Sequence, residues 1–205
     1  MSVQKVFKNA AAAGHATALD AFSQGKLFKA EQSKEIKKGI CGGVSLTYLG
    51  LYAKSGAGSL NGAKAHSWSA LLEFGLKLQQ QLMDVPQGAV SVQQAMRTNF
   101  SNAAGTCGLR VDGAIASYAF PGDESIVGLI SRLSGYYIIA LPVHYIAASN
   151  VGGEFTFFDP NCGAAYTNNA RNFATMYRSF FSSSQVSDSY ECTGKNLDIL
   201  RFQRI

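Results

Sequence analysis

The chain has 205 residues, of which 47% are apolar and 15% charged, so it holds ample material for a hydrophobic core and is not a disordered chain. The net charge of +5 is mild and its basic residues are scattered, which argues against a nucleic-acid binder with a dense basic stripe and interleaved aromatics. Mean hydropathy is near zero, and no apolar run reaches the roughly 18 residues a membrane-spanning helix needs.

In chain order, residues 1–38 read as helical, with Val6, Ala10, Ala13, Leu19 and Phe22 at helical spacing and breaks at Gly14 and Gly25. This stretch is expected to be an N-terminal helical extension. It carries the one local basic cluster, Lys26, Lys29, Lys34, Lys37 and Lys38. A solvated helix face explains the cluster; an acidic substrate or an anionic membrane surface are the functional alternatives. Residues 41–53 form a mostly apolar helix of the kind that sits inside a fold. Residues 56–62 are a Gly/Ser/Asn loop, residues 67–82 a second helix and residues 91–100 a third, after a turn at Pro86–Gly88. Trp68, the single tryptophan, is expected to pack within this helical half.

Past Gly105 the pattern changes. Residues 107–111 and 114–119 suit strands or loop, and residues 123–133 a short helix after Pro121–Gly122. Residues 136–142 are a strand. Residues 143–150 continue it or form its neighbour after a bend at Pro142. Val151–Gly152–Gly153 is a turn and residues 154–158 the next strand. Residues 172–181 are a helix, 182–189 a polar loop and 196–204 a last strand. Helices first and an antiparallel sheet second make an α+β arrangement. One domain over residues 1–205 is the expected organisation.

Cys41, Cys107, Cys162 and Cys192 are widely spaced and match no zinc pattern, so neither a metal nor a cofactor is expected. No stretch reads as a cleavable signal peptide, which points to reduced thiols and a cytosolic site of action.

Three residues stand out. Cys41 opens an apolar helix, where the positive end of the helix dipole and the preceding lysines favour a thiolate. Gly39, Gly42 and Gly43 around it would let a substrate backbone come close. The bland alternative is a small buried hydrophobe. His144 lies on an apolar strand, where a histidine is commonly a satisfied core residue. Asp159 shifts the balance, because one hairpin separates it from His144 and brings it back on the neighbouring strand. There a carboxylate fixes the imidazole tautomer and leaves the other ring nitrogen for the thiol proton. Asp159 also suits the turn before Pro160. The order Cys, His, Asp is that of papain-like enzymes.

At these positions the sequence resembles a known family. Gly39-Ile40-Cys41-Gly42-Gly43-Val44-Ser45-Leu46 is similar to the nucleophile segment of the YopT/AvrPphB family of bacterial effector cysteine proteases. Gly153-Glu154-Phe155-Thr156-Phe157-Phe158-Asp159-Pro160-Asn161-Cys162-Gly163 is similar to that family's triad-aspartate segment, and the spacing of His144 matches as well. The resemblance spans residues 38–165 and is dense only near the three sites. It implies a papain-like fold, with the helical half carrying the nucleophile and the antiparallel sheet carrying His and Asp. It also implies a virulence-associated thiol protease that a bacterial secretion system, such as type III, delivers to the host cytosol, where it cuts a host protein. Papain-like enzymes place a Gln or Asn a few residues before the cysteine as an oxyanion donor. Glu35 and Ile36 stand there instead, and Gln32, nine residues before Cys41, is the candidate donor. Cys162 is a redox-sensitive neighbour of Asp159 or simple filler. Acyl transfer or deamidation with the same triad, and a non-enzymatic binding groove, remain the alternatives to proteolysis.

Overall fold

The computed structural model describes residues 1–21, 40–55, 67–83 and 91–205. The lysine cluster, Gln32, the 56–62 loop and the Pro86–Gly88 turn lie outside the described residues. The elements are α1 (Val3–Ala13), β1 (Thr17–Ala21), α2 (Cys41–Ser55), α3 (Ser67–Met83), α4 (Val92–Ala104), β2 (Leu109–Val111), β3 (Ala116–Ala119) and α5 (Asp123–Arg132). They continue with β4 (Gly135–Leu141), β5 (His144–Val151), β6 (Glu154–Asp159), β7 (Gly163–Thr167), α6 (Ala170–Phe181), α7 (Ser184–Ser189) and β8 (Asn196–Arg204).

The sheet runs β1-β7-β6-β5-β4-β8-β2, with β3 also paired to β8, and each described pairing is antiparallel. Both faces of its centre are covered. Successive side chains on a strand point to opposite faces, so Tyr137, Ile139, Ile146, Ala148, Phe155 and Phe157 enter one core with α1, α5 and α6. Tyr136, Ile138, Ala147 and Phe158 enter a second core with α2, α3 and α4. The continuous apolar run of β4 follows from this double burial. β6 carries Phe157 into the first core and Phe158, stacked 4.2 Å from Tyr48 of α2, into the second.

The apolar character of α2 has the same origin, since every residue from Ile40 to Gly50 is buried. It crosses α3 at a glycine contact. A Cβ on Gly43 would stand 1.9 Å from the Gly75 carbonyl oxygen, and one on Gly75 would stand 2.7 Å from Val44 Cγ2. α1 belongs to the first core: Val6, Phe7, Ala10 and Ala11 are buried in it, and Phe7 stacks on Phe157 with centroids 5.9 Å apart.

The sequence expectations meet four differences. Residues 17–21 form edge strand β1, not helix, because pairing with β7 outweighs a weak helical periodicity. Gly163–Thr167 is a strand that two alanines, a glycine and no alternation had hidden. Ser184–Ser189 is a short helix instead of a polar loop. Val143 starts no strand: Pro142 and Val143 form the tight turn between paired Leu141 and His144, so β5 is the neighbour of β4 and not its continuation. Residues 107–111 and 114–119, open between strand and loop, contain β2 and β3.

Candidate active site

His144 begins β5 and Asp159 ends β6. Gly152 and Gly153 both have positive φ, which makes the two-residue hairpin turn possible and fixes the register. The ladder pairs Ala147 with Phe158 and Val151 with Glu154. Extended by one residue, that register sets Asp159 opposite Ile146, on the face that His144 shares. The two therefore meet diagonally across the strands, a separation that their side chains can span. His144 Nε2 lies 3.0 Å from Asp159 Oδ1. Both side chains are buried, at 4% and 0% exposure, so no water competes for this contact.

The carboxylate is held on all sides. Its Oδ1 also accepts the Asn161 backbone N–H at 2.7 Å, and its Oδ2 accepts the Tyr190 hydroxyl at 2.8 Å. The Asn161 bond closes the Asp-Pro-Asn turn, so Asp159 serves the turn and the histidine together. Gln4 of α1 donates to the Asn161 carbonyl at 3.0 Å and ties the N-terminal helix to the same turn.

Cys41 reaches this pair from the opposite layer. Ser45, one turn further along α2, donates its hydroxyl to the Tyr145 carbonyl at 3.1 Å and pins the helix start beside His144. Because Nε2 is committed to Asp159, Nδ1 is the ring nitrogen left for the thiol. Burial pushes the Cys41 thiol up, but the His144 charge and hydrogen bond, with backbone hydrogen bonds from Tyr145 and Gly42, outweigh it and bring the pKa below the ordinary 9.0. His144 moves the other way. Burial would lower it, yet the Asp159 charge, the Cys41 charge and their hydrogen bonds raise it from 6.5 to about 10. Both shifts favour the charged forms, thiolate on Cys41 and imidazolium on His144.

The other cysteines supply the contrast. Burial pushes Cys107 and Cys192 up to about 11, and burial together with the Asp159 charge pushes Cys162 up further. Four buried thiols share one chain, and only Cys41 is shifted toward thiolate. Cys162 lies beside Asp159 and is shifted away from thiolate.

The glycines after Cys41 have a different role from the expected backbone access. Gly43 faces α3, where its N–H donates to Gln79 Oε1 at 3.0 Å. A Cβ on Gly42 would meet Gln79 Oε1, Leu82 Cδ1 and Tyr145 Cδ2, all within 3.3 Å. Sequence reasoning missed Gln79, Ser45 and Tyr190, because no motif or spacing marks a residue whose partner is distant along the chain. Tyr190 is 31 residues from Asp159 and stacks on the His144 ring at 4.2 Å and 13°. Among the described residues no group of acidic, His and Cys side chains could hold a metal ion, and no helix is long and apolar enough to cross a membrane.

Residues 131–205 match the sequence family described as Yersinia/Haemophilus virulence surface antigen, a peptidase family. His144 and Asp159 lie inside that match and Cys41 lies outside it. The fold is similar to the crystal structure of the Pseudomonas avirulence protein AvrPphB, at TM-score 0.62 and 17% identity over 83% of this chain and 95% of that one. It is also similar to PatoxP, a cysteine protease-like domain of the Photorhabdus asymbiotica toxin PaTox. There the TM-score is 0.53 and the identity 12%, over 98% of this chain and 57% of the other. No curated protein sequence gives a match. The fold expected from the sequence, papain-like with mixed helices and antiparallel sheet, is the one observed.

Proposed function

We propose that this chain, papain-like in fold and matching a peptidase family over residues 131–205, is a cysteine endopeptidase working through a Cys41–His144–Asp159 triad. One observation carries the reading: His144 Nε2 lies 3.0 Å from Asp159 Oδ1 in a buried pair, and the His144 charge and hydrogen bond act on the Cys41 thiol in the direction of thiolate.

The chemistry follows from that pair. The Cys41 thiolate attacks the scissile carbonyl carbon, and the carbonyl electron pair moves onto oxygen. The Cys41 backbone N–H, at the start of α2, is the donor the helix supplies to that oxyanion. Gly42 N–H is turned to the thiol and Gly43 N–H to Gln79, so neither serves the oxyanion. His144 gives its Nδ1 proton to the departing amine, leaving a thioester. Water then attacks the thioester, His144 takes a water proton, and the carboxylic acid and the thiolate are released. Asp159 keeps the imidazole in the tautomer and orientation that both transfers need. Gln32 remains the proposed second donor.

The substrate in this reading is a peptide segment of a host protein, met in the host cytosol after bacterial secretion. The virulence-associated family match supports that setting. The test is mass spectrometry of host-cell lysate treated with wild type or with Cys41→Ala. New protein termini that appear only with wild type are the expected result. The same termini from Cys41→Ala would remove the nucleophile assignment. Acyl adducts, or conversion of carboxamide to carboxylate, without new termini would make the chain a transferase or a deamidase.

A further inference from the structure

Tyr190 is not explained by packing alone. It follows α7, whose last turn is closed by Tyr190 N–H on the Val186 carbonyl at 3.0 Å and by Cys192 N–H on the Ser187 carbonyl at 2.9 Å. Glu191 between them takes φ of 54°, a left-handed turn that bulky side chains rarely adopt. The chain therefore accepts a disfavoured backbone at the residue after Tyr190. The result is a ring buried to 4% exposure, flat against His144, with its hydroxyl on Asp159 Oδ2. Asn161 Nδ2 donates back to that hydroxyl at 3.3 Å, so the phenol proton is directed to the carboxylate.

These contacts act on two members of the pair at once. The hydroxyl occupies the aspartate oxygen that His144 does not use, so Oδ1 stays aimed at Nε2. The ring covers one face of the imidazole, keeps water from the Nε2–Oδ1 bond and offers its π-face to the imidazolium. We propose that Tyr190, delivered by α7, is a positioning residue of the triad, whose hydroxyl and ring together hold His144 as the charged partner of the Cys41 thiolate. The proposal rests on the triad reading above.

The test needs no substrate. Wild type, Tyr190→Phe and Tyr190→Leu are labelled with iodoacetamide across the pH range, and modification of the Cys41 peptide is followed by mass spectrometry. Thermal unfolding of each variant is recorded alongside. Tyr190→Phe keeps the ring and removes the hydroxyl. It is expected to label about tenfold more slowly near pH ~6, because one unit of lost thiol acidity is tenfold in thiolate. Tyr190→Leu, which also loses the ring, is expected to fall further. A melting temperature lowered in Tyr190→Phe with an unchanged labelling profile would leave Tyr190 a packing residue and overturn the proposal. If wild-type Cys41 itself labelled like an ordinary thiol, the triad reading would fail first, so the two failures are distinguishable.

Discussion

At the scale of single residues, Cys41 and His144 shift each other in opposite directions, and the sign of the resulting pH dependence follows. His144 is raised from 6.5 to about 10, so its contribution to stability is complete below 6.5 and is lost as the pH rises through about 10. Cys41 is lowered, so its contribution is present above 9.0 and is lost as the pH falls through its depressed value. The thiolate–imidazolium form therefore fills the window between the two folded values. Wild-type Cys41 should alkylate at nearly constant rate across neutral pH. In His144→Ala the opposing charge is gone and burial is left as the largest influence. Its alkylation should climb steeply with pH, and peptide cleavage should fall roughly 10²–10⁴-fold, the usual contribution of a proton-transfer residue. A flat profile that survives in His144→Ala would assign the thiol's acidity to the helix start and not to the histidine.

At the scale of elements, Cys41 is positioned by two contacts that α2 makes away from its thiol. One is the Ser45 hydroxyl on the Tyr145 carbonyl, and the other is the crossing with α3 at Gly43 and Gly75. The crossing leaves no room for a methyl group. Gly43→Ala should cost about 1–3 kcal/mol in urea unfolding, as overpacking usually does. It should also slow Cys41 alkylation, because the first turn of α2 must move. Loss of stability with an unchanged alkylation rate would show that Ser45 alone holds the helix start. The β5–β6 hairpin is the second positioning element, and there the two glycines of the turn decide which strand residues face each other. The hairpin was legible in the sequence from its turn residues and the strand signals on either side of them. The contacts of α2 were not, since neither Ser45 nor Gly43 differs in composition from residues without such partners.

At the scale of the whole molecule, a central sheet lies between two cores, and the site sits where helices of one layer meet strand ends of the other. α1 belongs to that plan through Phe7, which stacks on Phe157 and meets Phe180 edge-on. Phe7→Ala should cost about 3–5 kcal/mol, read as a lower urea midpoint; a cost well below that range would mean that α1 docks without supporting the sheet. The α+β class, the helix that opens at Cys41 and the hairpin that returns Asp159 beside His144 were determined by the sequence, because each is written in local periodicity, turn chemistry or spacing. Strand β1, strand β7 and helix α7 were not. Their residues carry little local preference, and pairing or packing with distant segments chose their form. Tyr190, Gln79 and the opposed shifts of Cys41 and His144 were decided by tertiary structure alone. A hydrogen bond across 31 residues and a charge felt only when two layers close have no signature along the chain.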